Sequence, residues 1–347
     1  MYKFEVTAII PLVNNNISIR FKDLDGNFPR YKAGQFLTLA FQFGDREVRR
    51  SYSFSSAPDI DDYYEITVKR VDNGEISRLL HHKTQVGDII DVMDPQGLFG
   101  YEPQHAIPRT VFLFAAGVGI TPLLSILKTA LIKEKNSKVV LVYSNSAQKQ
   151  TLFYDELLAW QQDYPERLHI EFIWSDAKNL LKARLNREYL IQLVKAHVVT
   201  GVEPIFYTCG PLFYMDLCRF TLLGMGFPDH NIKRETFHFP EEEEDEDEKD
   251  EAPVDETTYA VTLRFKGEDH RLMVPYNKTI LDVALEHKLK LPYSCKSGMC
   301  STCISQVIQG AVQMSYNEVL TDREVENGRC LICTAHPTLP NTHIEVL

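Results

Sequence analysis

Three of the chain's seven cysteines fall within nine positions, at Cys295, Cys300 and Cys303 in PYSCKSGMCSTC. This C-x4-C-x2-C spacing limits the fold more than any other feature. Three thiols in one short loop either surround an inorganic centre or oxidise into a disulfide knot. The N-terminal MYKFEVTAII is strand-like and soon meets Asn and Arg, unlike a secretory leader, so a cytoplasmic protein is expected. Cytoplasmic thiols are normally reduced, which favours a metal site. Sulfur-rich sites hold zinc or an iron–sulfur cluster. Structural zinc usually takes two ligands from each of two short loops. Here the fourth thiol must come from far down the chain, from Cys330 or Cys333 in GRCLICTAHP.

The rest of the chain divides by pattern. Up to about residue 103, short runs such as QFLTLAFQF, RRSYSFSS and YYEITVKRV are separated by turn signals such as DGN and FGD. Tyr64, Ile66 and Val68 alternate with Glu65, Thr67 and Lys69, the period of a half-buried strand, and a small antiparallel β-barrel is expected. Over 104–239, apolar strands at 110–116, 138–143, 169–174 and 204–209 alternate with helical stretches near 121–133, 151–161, 186–196 and 211–223. That alternation predicts an α/β domain with a parallel sheet. TVFLFAAGVGITPLLSIL (110–127) has no charge, but Gly117, Gly119 and Pro122 interrupt it. A buried strand, turn and helix are expected, with no membrane span. Residues 257–347 begin with two strands and a helix (TILDVALEH) and then reach the cysteine loop, a compact α+β domain.

Between these domains, residues 240–256 contain EEEEDEDEKDEA, which carries nine of the eleven net negative charges of the whole chain. The remainder has no excess cation to neutralise phosphates, which argues against nucleic acid as a partner. Like charges repel, so the run is expected to be an extended flexible linker, solubilising or tethering, with docking as the alternative.

The cysteine pattern resembles that of plant-type [2Fe–2S] ferredoxins. The flanks PYSC, the small Ser297 and Gly298, and LIC followed by Pro337 match as well. The resemblance implies a β-grasp domain with Cys295, Cys300, Cys303 and Cys333 as cluster ligands. It leaves Cys330 where the family carries an apolar residue.

Upstream, RRSYSFSS contains the R-x-Y-S pattern of the ferredoxin–NADP reductase superfamily. In the FAD type it implies Arg50 on phosphate, Ser51 within the motif, Tyr52 against the ring, and Ser53 as a catalytic hydroxyl at the reactive ring nitrogen. TVKR brings Val68 and Lys69 to the cofactor, and NGEISRLL brings Gly74, Ile76 and Ser77 at a helix start that suits a pyrophosphate. VGDIIDVMDPQGLFG resembles the end of the family's barrel. AAGVGITP resembles the G-x-G-x-T-P nucleotide loop, with Gly117, Gly119, Thr121 and Pro122. YTCGPLFYM carries the family's C-G-P as Cys209, Gly210 and Pro211, with Cys209 placed near the nicotinamide as a catalytic residue. RETF resembles the closing E-x-F and makes Glu235 and Phe237 flavin neighbours. Cys218 reads as a core cysteine and the His81–His82 pair as surface. Ser146 stands where many relatives have arginine. Ser144, Ser146 and Lys149 could hold a 2′-phosphate, and NADH versus NADPH stays open.

The order of domains is similar to that in reductase components of bacterial multicomponent oxygenases, of the phenylacetyl-CoA epoxidase and ketosteroid hydroxylase type. It implies electron transfer from NAD(P)H through FAD and [2Fe–2S] to an oxygenase component. A desaturase, a hybrid-cluster protein or a cytochrome are alternative acceptors. A sensor without turnover is the alternative outside enzymes.

Overall fold

The computed structural model describes residues 1–44, 46–71, 74–104, 107–179, 182–199, 201–237 and 257–347. The acidic run 241–252 lies outside them. The chain forms two compact units that part after Phe237.

The first lobe of unit 1 contains β1 (Tyr2–Leu12), β2 (Asn16–Asp23), β3 (Phe36–Phe43), β4 (Arg46–Ser53), β5 (Tyr64–Lys69), α1 (Glu75–His82) and β6 (Ile89–Val92). Its strands pair antiparallel in the order β4-β3-β6-β1-β2-β5. A bridge between Phe54 and Ile66 brings the tip of β4 to β5, so the two edges of the sheet meet as a barrel. Closure removes open edges that could pair with other chains. Inward residues, among them Phe4, Val6, Ile19, Phe21, Leu37, Leu39, Ile66 and Val68, fill it.

The second lobe contains β7 (Thr110–Ala116), α2 (Ile120–Lys133), β8 (Lys138–Asn145), α3 (Tyr154–Asp163), β9 (Leu168–Trp174), α4 (Arg187–His197), β10 (Ile205–Cys209), α5 (Leu212–Gly224) and β11 (Ile232–Glu235). The sheet is parallel, in the order β11-β10-β7-β8-β9. β7 is buried on both faces. Val111, Leu113 and Ala115 join the core beneath α2, while Phe112 and Phe114 join the core beneath α5. That double burial explains the uncharged run read in the sequence. No helix among the described residues is long and apolar enough to cross a membrane. α3 begins at Tyr154, three residues later than expected, because Phe153 takes a left-handed conformation (φ 58°) at its N-cap.

Unit 2 contains β12 (Tyr259–Phe265), β13 (Glu268–Val274), α6 (Ile280–Glu286), β14 (Ile304–Gln309), β15 (Val312–Met314), α7 (Asp322–Glu326), β16 (Arg329–Leu331), β17 (Ala335–Pro337) and β18 (Thr342–Val346). The main sheet runs β13-β12-β18-β14-β16, with β15 and β17 paired separately. Lys266 and Gly267 (φ 51° and 83°) form the two-residue turn between β12 and β13. α6 and α7 are short, and both open with capping boxes, Thr279 with Asp282 and Thr321 with Glu324. Ile280, Leu281, Val283 and Ala284 of α6 are buried in a core shared with Val261, Leu263, Leu331 and Ile344.

Candidate functional site

Pairing in unit 2 brings distant cysteines together. β14 and β16 run antiparallel with Ile304 opposite Leu331, and the Ile332 N–H donates to the Cys303 carbonyl at 3.3 Å. Cys333, one residue on, therefore lies beside Cys303. The loop ahead of β14 folds its N–H groups inward. Ser297 and Met299 each donate a backbone N–H to Cys295 Sγ at 3.4 Å, and Cys295 N–H donates to Cys300 Sγ at 3.4 Å.

Gly298 permits this turn. Its φ is +74°, and a Cβ there would sit 2.6 Å from the Tyr316 carbonyl oxygen. Hydrogen bonds from the Cys300 and Cys333 thiols and from Ser297 hold the Cys295 thiol well below its usual range. Cys300 and Cys333, as donors to it, are pushed up. The backbone N–H groups directed at Cys295 and Cys300 Sγ are donors that suit negative sulfur, which a cluster's thiolates and sulfides require. Among the described residues no three ligating side chains converge on a single-ion site. Cys330 is fully enclosed in the core, and burial, with Cys303 adding to it, pushes its thiol up to about 12.

In the barrel, Arg50, Ser51, Tyr52 and Ser53 end β4. Strand alternation puts Arg50 and Tyr52 on one face and Ser51 and Ser53 on the other. Ser51 Oγ meets Thr38 Oγ1 at 2.9 Å, whereas Ser53 Oγ is buried with no hydrogen-bond partner. A buried hydroxyl left unpaired is costly unless a ligand completes it. α1 opens at Gly74 with no side-chain cap from the described residues, and its first-turn N–H groups suit an anion. A Cβ on Gly74 would lie 2.5 Å from Ser77 Oγ, which itself accepts the Val71 N–H at 3.2 Å. The side chains of Val68 and Ile76 point into the barrel core, so only their backbone can face a cofactor, and Lys69 is exposed. These features fit FAD. His81, expected at the surface, is half-buried, with Nε2 3.2 Å from the Val68 carbonyl.

In the nucleotide lobe, β7 lies between β8 and β10, so the chain switches direction across the sheet at the C-terminal ends of β7 and β10. Such switch points form ligand crevices. Gly117 (φ +55°) turns the chain out of β7. Gly119 packs so closely on the next strand that a Cβ would lie 2.5 Å from the Cys209 carbonyl carbon, and one on Gly210 would lie 2.8 Å from Ala116 Cβ. The Thr121 hydroxyl donates to the Val118 carbonyl at 3.1 Å, and Pro122 occupies the first turn of α2. This glycine cradle fits a dinucleotide.

The Cys209 thiol is fully enclosed, and burial together with Glu235 raises its pKa well above the usual value. Such a thiol is protonated and is no thiolate nucleophile. Glu235 lies across from Cys209 in the β10–β11 register, half-buried, and burial pushes its carboxyl up to about 8. Pro211 and Phe237 are exposed. Ser144 ends β8 with Asn145, and Ser146 and Lys149 follow it, both exposed.

Sequence reasoning missed the segment that joins the two lobes. Gly34 (φ +89°) sits where a Cβ would meet the Phe99 carbonyl oxygen at 2.6 Å and Ile126 of α2 at 3.0 Å. Its neighbour Gln35 accepts the Phe54 N–H at 3.0 Å, next to Ser53. The run A-G-Q was the available signal.

Residues 5–101 match the model of the oxidoreductase FAD-binding domain, 113–219 that of the oxidoreductase NAD-binding domain, and 263–338 that of the 2Fe-2S iron-sulfur cluster binding domain. The chain belongs to the ferredoxin–NADP reductase superfamily flavoproteins that carry a C-terminal plant-type [2Fe–2S] domain. It is an NAD(P)H-dependent oxidoreductase that transfers electrons through FAD and a [2Fe–2S] cluster. Among its relatives, one of the components of 1,2-phenylacetyl-CoA epoxidase from Escherichia coli is 33% identical over 91% of this chain and 88% of that protein. The ferredoxin reductase component of 3-ketosteroid-9-alpha-monooxygenase from Rhodococcus rhodochrous is 34% identical, with the same coverage of 91% and 88%. Phthalate dioxygenase reductase has the same architecture, with a TM-score of 0.61 at 24% identity, covering 99% of this chain and 97% of that one.

Proposed function

We propose that this reductase supplies electrons to the oxygenase component of a multicomponent oxygenase in the cytoplasm, of the phenylacetyl-CoA epoxidase type. The observation that carries this reading is mutual coverage. The chain and the E. coli epoxidase component match along 91% and 88% of their lengths, so all three modules are shared in one order. We assign 1–103 to FAD, 104–239 to the nucleotide, 257–347 to the cluster, and 240–256 to a tether between the last two.

When bound, FAD takes a hydride from NAD(P)H and releases single electrons, which a [2Fe–2S] cluster carries onward. Arg50 offers its guanidinium to FAD phosphate, and the N-terminus of α1 at Gly74–Ser77 offers N–H groups to the pyrophosphate. Tyr52 gives the ring a flat face. Ser53 turns its otherwise unpaired hydroxyl to the reactive ring nitrogen. Gly117, Gly119, Thr121 and Pro122 let the nucleotide's pyrophosphate approach the backbone. Cys209, Gly210 and Pro211 wall the nicotinamide, with Cys209 acting as a neutral contact, and Glu235 and Phe237 close the flavin side. Cys295, Cys300, Cys303 and Cys333 ligate the cluster, and the N–H groups of Ser297 and Met299 stabilise its charge.

The test of the partner is reconstitution. Purified reductase with NAD(P)H should support turnover by an epoxidase-type oxygenase component, and not by a desaturase, hybrid-cluster protein or cytochrome. Faster reduction of one of those three would displace the oxygenase reading. Ser53→Ala tests the flavin site. It should slow flavin reduction about 10–100-fold with little change in nucleotide affinity, and a change confined to KM would remove Ser53 from its role.

A further inference from the structure

After Arg109 the chain carries no charge until Lys128, deep in α2. Lys128 is only 5% exposed. An ammonium enclosed this far requires carboxylate partners. Two reach it, from different parts of unit 1: Glu156 of α3 at 2.8 Å and Asp61 at 3.5 Å. Burial opposes the charge on Lys128, and the two carboxylates outweigh it and hold the group above its usual range.

The partners differ in origin. Glu156 belongs to the nucleotide lobe, like Lys128 itself. Asp61 belongs to the barrel, on the segment 54–63 that leaves β4 directly after Tyr52 and Ser53. That segment is braced internally. Asp61 Oδ2 accepts the Ala57 N–H at 2.7 Å, and the N–H groups of Ile60 and Asp61 return to the Ala57 carbonyl at 3.3 and 3.1 Å. A second contact lies alongside, where Asp59 meets Lys133 of α2 at 3.9 Å and Arg30 of the barrel at 2.6 Å.

We propose that the Lys128–Asp61 contact is a positioning clasp for hydride transfer. It holds α2, which opens at the nucleotide loop, against the segment that continues from Tyr52 and Ser53. In doing so it sets the distance between nicotinamide and flavin. The inference rests on the flavin reading of Tyr52 and Ser53. Lys128 touches neither cofactor. It lies eight residues beyond Ile120, about 12 Å along the helix, and acts only through the lobes it joins. An ion pair suits this task better than apolar contact. Apolar surfaces can slide, whereas a slipped pair leaves charges unmatched. Hydride transfer is steep in donor–acceptor geometry, so a small loosening has a large kinetic effect.

The test is stopped-flow reduction of FAD by NAD(P)H in the full-length holoenzyme. Lys128→Met and Asp61→Asn should each slow flavin reduction about tenfold. FAD content and nucleotide dissociation constant should hold, while the long-wavelength charge-transfer absorbance of the nucleotide–flavin complex weakens. The double variant should be no slower than the slower single, since both cut one contact. Glu156→Gln, which breaks the shorter pair inside one lobe, should keep the wild-type rate. Asp61→Glu should recover most of what Asp61→Asn loses. If Lys128→Met does not fold, the two Asp61 variants carry the test. A Glu156→Gln as slow as Asp61→Asn would reduce the clasp to general stability and overturn the proposal, as would Asp61→Asn at the wild-type rate. Ser53→Ala belongs in the same series. A slow Ser53→Ala beside unaffected clasp variants sinks the clasp alone, and an unaffected Ser53→Ala removes the flavin reading beneath it.

Discussion

Single residues divide the cysteines by environment rather than by spacing. Only Leu331 and Ile332 separate Cys330 from Cys333, yet Cys330 is locked in the core and Cys333 lies with Cys295 and Cys303. Cys333→Ser is expected to abolish the visible cluster spectrum while FAD stays bound. Cys330→Ser should keep both and instead lower stability by about 1–3 kcal/mol, the cost of a poorly paired buried hydroxyl. Absorbance and a urea titration separate the two, and a cluster surviving in Cys333→Ser would reassign the fourth ligand. Glu235 gives a pH prediction. Its folded-state carboxyl is raised from 4.5 to about 8 by burial, so the native state keeps a proton that the unfolded chain has released. The stability it contributes is full below about pH 4.5 and is lost as pH rises through about 8. Glu235→Gln should flatten that decline between about pH 5 and 9, read from urea midpoints. An unchanged slope would place the titration elsewhere.

Elements explain what could be read in advance and what could not. β7 and α2 were legible because a doubly buried strand and a glycine turn each leave a local mark: an unbroken apolar run, then Gly117 and Gly119. β11 was not, because four residues with Lys233 and Arg234 among them have no strand period of their own and take their place by pairing with β10. The functional motif RETF was visible there while its secondary structure was hidden. Asp61 was illegible for a related reason. Its partner Lys128 is 67 residues away, and only the fold of both lobes brings them within reach. Val68 and Ile76 were legible as motif positions, but not that their side chains turn into the barrel core. The glycines make a sharper prediction. Gly119→Ala must displace the Cys209 backbone and should destabilise unit 1 by roughly 1–3 kcal/mol, with weakened NAD(P)H binding measured by titration. Gly298→Ala adds an unfavourable φ to a clash and should lower iron content per chain. Wild-type iron loading in that variant would contradict the turn's role.

At the scale of the molecule, the two units have separate cores. Among the described residues, the core beneath the cluster loop draws on Val261 to Val346. Residues 257–347 produced alone should therefore fold cooperatively and bind a cluster, checked by circular dichroism and by absorbance after iron and sulfide are added. Failure to fold alone would mean the unit depends on the rest of the chain. The flavin half should likewise keep reducing artificial acceptors with NAD(P)H once the cluster unit is removed, while losing delivery to its acceptor protein.

The four thiols of the sulfur nest differ in exposure. Cys303 and Cys333 are buried, whereas Cys295 and Cys300 remain partly open to solvent, on a loop shaped by backbone hydrogen bonds. This asymmetry gives solvent access to the loop a direction. A thiol reagent arriving from solvent should therefore label Cys295 and Cys300 of the metal-free chain before Cys303 and Cys333.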